Sequence, residues 1–321
     1  MTEKQRFAAT LRREPVEGLV PTFELVFCLT MEAFGKIHPA HRKFAQWSQM
    51  SEKERQLHRI DVADVYIATA ERYHHSAIFY HDMELGVEEN IRILELIRER
   101  SNDEYFILMH GDPTLALPSG QNMVEESVMY YEEPEKIHSY VEGWMDYHIK
   151  NVETLVNAGN LLDGIGLCSD YCFNTSPFLS PSMFSEFVTP YLKRICDEYR
   201  SMGLYTIKHT DGNIMPIVDQ IVQAGPDALH SLDPQGGVNL SEVKRLYGDK
   251  VALCGNVNCG LLQTGTNEEV AADVRRALRD GMEGGRGYIF CTSNCVYTGL
   301  DLNRYEMMMD IWQKEGKYGQ S

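Results

Sequence analysis

The fold class predicted by the sequence is α/β, a (β/α)₈ TIM barrel, and three observations lead to it. Short apolar, β-branched runs alternate with longer amphipathic stretches throughout the chain. The runs are nearly continuous in apolar character, which suits strands buried on both faces of a parallel sheet. Glycines recur between the end of a helical stretch and the start of the next strand, where a helix wants its C′ residue. Eight such units close into a barrel more naturally than they form an open sheet.

The expected strands are Val20–Leu25, Asp64–Ala68, Tyr105–His110, Leu162–Leu167, Leu204–Lys208, Asp227–Ser231, Val251–Gly255 and Gly287–Cys291. The clearest helices are Glu89–Arg100, Pro134–Ala158, Ser182–Met202, Met215–Ala224, Leu240–Tyr247 and Glu268–Met282. Ser180-Pro181-Ser182 reads as a stop followed by a helix start, and Asn267-Glu268-Glu269 sets a cap before an acidic first turn. Gly203, Gly225 and Gly285 are the helix-ending glycines. Thr30 to Leu57 is irregular and polar around Pro39, which predicts an insertion near the barrel mouth. No repeat or low-complexity segment interrupts the pattern. The expectation is therefore one domain over residues 1–321, with an N-terminal helical extension and an insertion near residues 30–60.

Composition narrows the function classes. A chain 43% hydrophobic and 24% charged has ample material for a core. Its net charge of −17 argues against nucleic acid, whose phosphates need clustered Lys and Arg. It also disfavours a strongly anionic substrate. No apolar run approaches the roughly 20 residues that span a bilayer, and Met1 to Pro15 is charged and polar, so the expected location is cytoplasmic. In such a compartment the eight cysteines should form no disulfide. Cys196 is expected to be packing.

The residues just after barrel strands share one mouth, and here they are rich in acidic and metal-capable side chains. One strand carries Glu24; others end in Cys168-Ser169-Asp170-Tyr171-Cys172, Lys208-His209-Thr210-Asp211, Cys254-Gly255-Asn256 and Cys291-Thr292-Ser293-Asn294-Cys295. A lone histidine at a strand end is more often a hydrogen-bonded loop residue than a ligand. His209 stands above that baseline because Asp211 lies two residues on, on the same side of an extended segment. Cys295 sits in a polar loop where packing explains it poorly. The spacings are not those of a structural zinc knuckle, which leaves an open catalytic site with ligands from different strands. Glu24, Asp170, Tyr171, His209, Asn256 and Cys295 are expected to line one cavity. His74, His75 and His81 are read as a solvated helix face or mouth loop.

At these motifs the sequence resembles the uroporphyrinogen-decarboxylase-like superfamily. Glu3-Lys4-Gln5-Arg6-Phe7 with Glu14-Pro15-Val16 looks like its N-terminal helix and first strand. Phe178-Leu179-Ser180-Pro181, Phe187-Val188-Thr189-Pro190, His209-Thr210-Asp211-Gly212-Asn213 and Leu253-Cys254-Gly255-Asn256-Val257 follow in the family's order. True decarboxylases hold the tetrapyrrole propionates with N-terminal arginines, whereas Thr22 to Thr30 contains none here. The resemblance therefore implies the other branch, corrinoid-dependent methyltransferases that move a methyl group to the cob(I)alamin of a separate corrinoid protein. Its thiol-methylating members bind zinc through a histidine, a cysteine two residues on, and a cysteine after the last strand. His209 and Cys295 match the first and third; Asp211 departs from the second. An oxygen ligand there suits a small methylated, O-methyl substrate better than a thiol. The implied metal set is His209 and Cys295 with Asp211 as third ligand, a place open also to Cys254, Cys259 or Glu24. Asp170, Tyr171 and Asn256 would position substrate alongside Glu24, and Asp211, Asp170, Tyr171 and Asn256 would serve catalysis. The resemblance leaves room for a homodimer. The alternative reading is a decarboxylase or lyase acting on a small carboxylated substrate.

Overall fold

A computed structural model describes residues 1–319. The chain opens with α1 (Glu3–Leu11) and the short α2 (Thr30–Phe34), followed by α3 (Glu52–Tyr73) and β1 (Ala77–Tyr80). Next come α4 (Val87–Arg100), β2 (Phe106–His110), α5 (Met123–Glu132), α6 (Pro134–Ala158) and β3 (Gly164–Leu167). Then follow α7 (Pro181–Phe187), α8 (Thr189–Ser201), β4 (Tyr205–Thr210), α9 (Val218–Ala224) and β5 (Ala228–Ser231). The last elements are α10 (Leu240–Tyr247), β6 (Ala252–Cys254), α11 (Cys259–Thr264), α12 (Asn267–Gly281), β7 (Tyr288–Ile289) and α13 (Leu302–Glu315). The seven strands form one parallel sheet in the order β1 to β7. Among the described residues, no helix is long and apolar enough to cross a membrane.

Two strand expectations are corrected. Asp64–Ala68 lies inside α3, whose start is fixed by a capping box between Ser51 and Glu54. The β-branched run there buries Val62, Val65, Tyr66, Thr69 and Tyr73 at helical spacing, one wide face of a 22-residue helix. The first regular strand is instead β1. Val20–Leu25 forms no regular strand, only a parallel bridge of Thr22 with Phe290. This segment nevertheless meets both edges of the sheet: Phe290 N–H donates to Pro21, and Ser76 N–H donates to Thr22. The expected helix Ser182–Met202 is two helices, parted at Val188 just before Pro190.

Alternate residues of each strand enter different cores. Ala77, Phe79, Phe106, Leu108, Ile207, Ala228, Ala252, Cys254 and Ile289 pack together with Phe23, Leu25 and, from α1, Phe7 and Leu11. Their neighbours Ile78, Tyr80, Ile107, Met109, Ile165, Leu167, Leu229 and Leu253 pack instead against the surrounding helices. The first set is thus the enclosed face of the sheet, closed at one end by Phe7 against Phe23 and Phe106. All eight cysteines are free, and Cys196 is fully buried in α8. Gly203 and Gly225 end their helices at φ +82° and +88°, as the C′ position requires.

Beyond β4 and β5 two loops cross at van der Waals contact. A Cβ on Gly236 would overlap the Gly212 carbonyl group and lie 2.8 Å from the Asn213 nitrogen. Gly236→Ala should therefore destabilise the protein by about 1–3 kcal/mol through overpacking against backbone. The measurement is the denaturant midpoint, and an unchanged midpoint would contradict the close crossing.

Candidate active site

The same alternation places the chemistry. Cys168 and Asp170 continue the enclosed face of β3, and His209 and Asp211 that of β4. The register sets His209 beside His230 of β5. The Asp211 N–H donates to Asp170 Oδ1 at 2.9 Å, so one carboxylate pins the start of the loop that carries the other. His209 Nε2 faces both carboxylates, 3.8 Å from Asp170 Oδ1 and 3.9 Å from Asp211 Oδ1. One donor atom from each of Asp170, His209 and Asp211 lies within 4.8 Å of the other two. Ser231 Oγ donates to Asp211 Oδ1 at 2.8 Å, and the Asn294 amide donates to Oδ2.

Burial first, and then the Lys208 charge, pushes the His209 imidazole down to about 3, so the ring is neutral and has a lone pair to offer. Burial, followed by the neighbouring Asp170, pushes the Asp211 carboxyl up to about 7, against the bonds from Ser231 and Asn294. Asp170 is 41% exposed and opens the cluster to solvent. One imidazole nitrogen and two carboxylates suit a divalent cation, and three protein ligands with an open side match a catalytic rather than a structural zinc site.

Cys295 stands at the margin. Its N–H donates to Asn294 Oδ1 at 2.6 Å, and Asn294 in turn holds Asp211. Burial, with Cys28 and Asp211 nearby, pushes its thiol up to about 12. Its sulfur lies outside the 4.8 Å group.

Three other expected residues are not brought to the cluster, Tyr171 because it sits one position out of phase with Asp170. Tyr171 turns into the helix-side core, where its hydroxyl bonds Thr114 at 2.6 Å. Asn256 is fully buried, its amide donating to the Leu232 carbonyl and its oxygen accepting from Arg276 of α12. Glu24 is bonded to Thr292 at 2.5 Å and lies beside Tyr305 of α13. Of the three histidines, His74 is exposed at the end of α3, as expected, and His75 departs from the reading. His75 is buried against Tyr305 at 3.0 Å, and His81 is buried just after β1 with neither ring nitrogen bonded. A groove of 300 Å³ between the insertion and the loop after β1, lined by Arg42, Phe44, Asp82 and Met83, shares no residue with the cluster.

Several contributors went unread in the sequence. Lys208, with no exposure, bonds Asp112 at 2.7 Å and the Ser169 carbonyl at 2.8 Å, over the Tyr171 ring. A lysine in an apolar strand signals a buried partner, but that partner is 96 residues away. Ser231, His230 and Asn294 carry no motif of their own.

Burial pushes the Glu24 carboxyl up to about 8 from its ordinary 4.5. A carboxyl with a raised folded pKa favours folding most when both states are protonated, below about pH 4.5, and that contribution fades as pH rises toward 8. Between pH 5 and 8 the wild type should lose stability relative to Glu24→Gln by at most about 1.4 kcal/mol per pH unit. Denaturant titrations at four pH values test this; parallel curves for the two proteins would refute a buried, protonated Glu24.

A family model described as uroporphyrinogen decarboxylase (URO-D) matches residues 119–314. The uroporphyrinogen decarboxylase of Pseudoalteromonas translucida is 30% identical over 224 residues, covering 64% of this chain and 57% of that protein. The one from Photobacterium profundum is 28% identical over 173 residues, covering 50% and 44%. The chain thus spans about half the length of the curated relatives it matches. Among solved structures, a methyltransferase from Methanosarcina mazei shares the fold with a TM-score of 0.71, covering 98% of this chain and 99% of its own at 18% identity. The family model covers well over half of the residues, and the chain belongs to the uroporphyrinogen decarboxylase (URO-D) family.

Proposed function

We propose that this chain is a corrinoid-dependent methyltransferase that takes a methyl group from a small O-methyl substrate and passes it to the cob(I)alamin of a separate corrinoid protein. The observation carrying this reading is the Asp170–His209–Asp211 group at the ends of two adjacent parallel strands. We read residues 1–321 as one domain, a (β/α)₈ barrel whose eighth wall is the segment 20–25 that meets both sheet edges. Thr22 to Thr30 offers no arginine for a polycarboxylated tetrapyrrole, which supports a small substrate.

His209 and Asp211 would hold a Zn²⁺ ion, with Asp170 as third ligand where the donors converge, or Cys295 in its place. The ion would supply Lewis-acid stabilisation of charge developing on the ether oxygen. The chain's own residues do the rest. Cleaving the CH₃–O bond sends the methyl group to the partner's cob(I)alamin and leaves the electron pair on the substrate oxygen, which then takes a proton from water. Asp211, held at both oxygens by Ser231 and Asn294, keeps one orientation toward that oxygen. The exposed side of Asp170 leaves the approach open. Tyr171 and Glu24 act as positioning residues behind the wall, Tyr171 next to Asp170 through its bond to Thr114 and Glu24 through Thr292 in the loop that carries Asn294. Asn256 ties the Leu232 carbonyl to Arg276.

A second reading rests on the Asp211 carboxyl, pushed up to about 7. A carboxyl poised there is a general acid for a metal-independent decarboxylase or lyase.

Metal analysis of the purified chain, with methyl transfer from a methoxylated aromatic to added cob(I)alamin, separates the two. We expect one Zn²⁺ per chain, and loss of metal in His209→Ala and Asp211→Asn with rates falling about 10²–10³-fold. A metal-free wild type that consumes carboxylated rather than methoxylated substrates would favour the second reading.

A further inference from the structure

The end of the sheet opposite the candidate active site carries a second concentration of charge, of the other sign. In a parallel sheet the loops leading from helix to strand lie at the far end from those that follow the strands. Two of them, Gly248 to Lys250 ahead of β6 and Glu283 to Arg286 ahead of β7, border a groove of 370 Å³. Lys244, Arg245, Lys250 and Arg286 line it, together with Asp249 and Glu283. Among the described residues, none of these four cations has a carboxylate within 4.0 Å. The chain has a net charge of −17, and a groove bordered by four cations without ion pairs stands against that excess.

Lys244 is held in place by both loops. It is 8% exposed, and its stem lies under Gly248, where a Cβ would come 2.9 Å from Lys244 Cδ. Gly284, Gly285 and Gly287, at φ +78°, +70° and +65°, turn the second loop back on itself. Lys244 Nζ donates to the Arg286 carbonyl there at 2.6 Å, which uses one of the three donors of the ammonium. Burial, and then the Arg286 charge, pushes that ammonium down to about 8, against Glu283. It is a cation enclosed beside another cation, with no counter-charge in contact.

Local structure accounts for part of this. Lys244 and Arg245 stand in the last turn of α10, where cations suit the C-terminal carbonyls of a helix. The helix does not account for Lys250 and Arg286, which reach the same groove from outside it. We propose that the groove binds a phosphoryl group, taken between the buried Lys244 ammonium and the exposed charged ends of Arg245, Lys250 and Arg286. A tetrahedral dianion offers acceptor oxygens in several directions; lysine meets it as a point charge and arginine as a planar fork. A lone carboxylate, with one charge and two oxygens in a plane, would leave more of these cations unmet. Asp249 and Glu283 set the upper limit, because they repel a chain of phosphates, so a single phosphoryl group fits. The volume leaves room for a small molecule carrying it. The groove shares no residue with the Asp170–His209–Asp211 group, so the inference goes beyond the methyl-transfer reading and does not depend on it.

The test is titration calorimetry on the full chain at low ionic strength, with inorganic phosphate and ribose 5-phosphate as probes. We expect binding of both. Equal affinities identify free phosphate as the source, and a tighter ribose 5-phosphate identifies a phosphomonoester. Lys244→Met and Arg286→Gln should each weaken binding about 10–100-fold, as loss of a charge-assisted hydrogen bond does. Lys150→Gln, at an exposed lysine on α6, should leave it unchanged. A wild type that binds neither probe at about 10 mM, beyond the millimolar end of specific affinity, would overturn the proposal. An equal loss in Lys150→Gln would overturn it as well, since that marks a general attraction of anions. If Lys244→Met does not fold, Arg286→Gln and Lys250→Gln decide, both at exposed positions; undiminished binding in both refutes the site.

Discussion

Burial on both faces of a parallel sheet is the constraint on which everything else depends. A strand covered by helices on one side and by the opposite wall on the other has no solvent face, so each successive residue must suit one of two different cores. At the ends of β3 and β4 this divides neighbouring polar residues between two tasks. His209 and Asp211 go inward. Lys208 and Thr210 go outward, where Lys208 meets Asp112 and the Ser169 carbonyl and Thr210 accepts the Tyr171 N–H. The outward set ties β2, β3 and β4 together directly behind the inward donors. Removing one partner of such a buried pair strands the other charge, typically at about 3–5 kcal/mol, so the scaffold behind the cluster resists displacement.

That rigidity matters because the cluster is electrostatically uncomfortable. Asp170, Asp211 and Asp233 bring three carboxyl groups together on a chain of net charge −17. The fold restrains them with hydrogen bonds instead of lysines or arginines. Ser231 and Asn294 serve Asp211, its backbone serves Asp170, and the Gly212 N–H serves Asp233 at 3.2 Å. Neutral donors hold carboxylate geometry without neutralising the charge, and that leaves the charge available to a cation or a transferred proton.

The sequence was legible where local chemistry and global fold agree. The β4 and β5 runs, the long helix Pro134–Ala158 and the glycines after α8 and α9 were all readable, because each has one strong local preference. His209 and Asp211 were readable as a pair from their spacing of two. Asp64–Ala68 reads as a strand because a deeply buried helix and a buried strand share the same apolar composition, and length arbitrates only once Ser51 is recognised as the cap of α3. Tyr171, Asn256 and Glu24 were assigned to the mouth because they follow strands. Counting in twos from His209 and from Asp170 would have turned Tyr171 away. For Asn256 and Glu24 no count was secure, since β6 has three residues and the segment around Glu24 forms no regular strand. Asp112 and Asn294 act across long sequence separations, which no local pattern encodes.

The same arrangement bears on the proposed substrate size. A polycarboxylated ligand must be met by cations, and several near the strand ends are paired within the protein. Lys208 is committed to Asp112, Arg276 to Asn256 and Asp273, and Arg42 on the insertion to Asp61 and the Ile37 carbonyl. What faces inward at the strand ends is instead neutral imidazole, thiol and carboxyl: His209, His230, Cys168, Asp170 and Asp211. Such a lining attracts a cation and tolerates a neutral organic molecule beside it, and it repels an anion of high charge. The chemistry of the wall thus supports the proposed small substrate on grounds separate from the lack of arginine between Thr22 and Thr30.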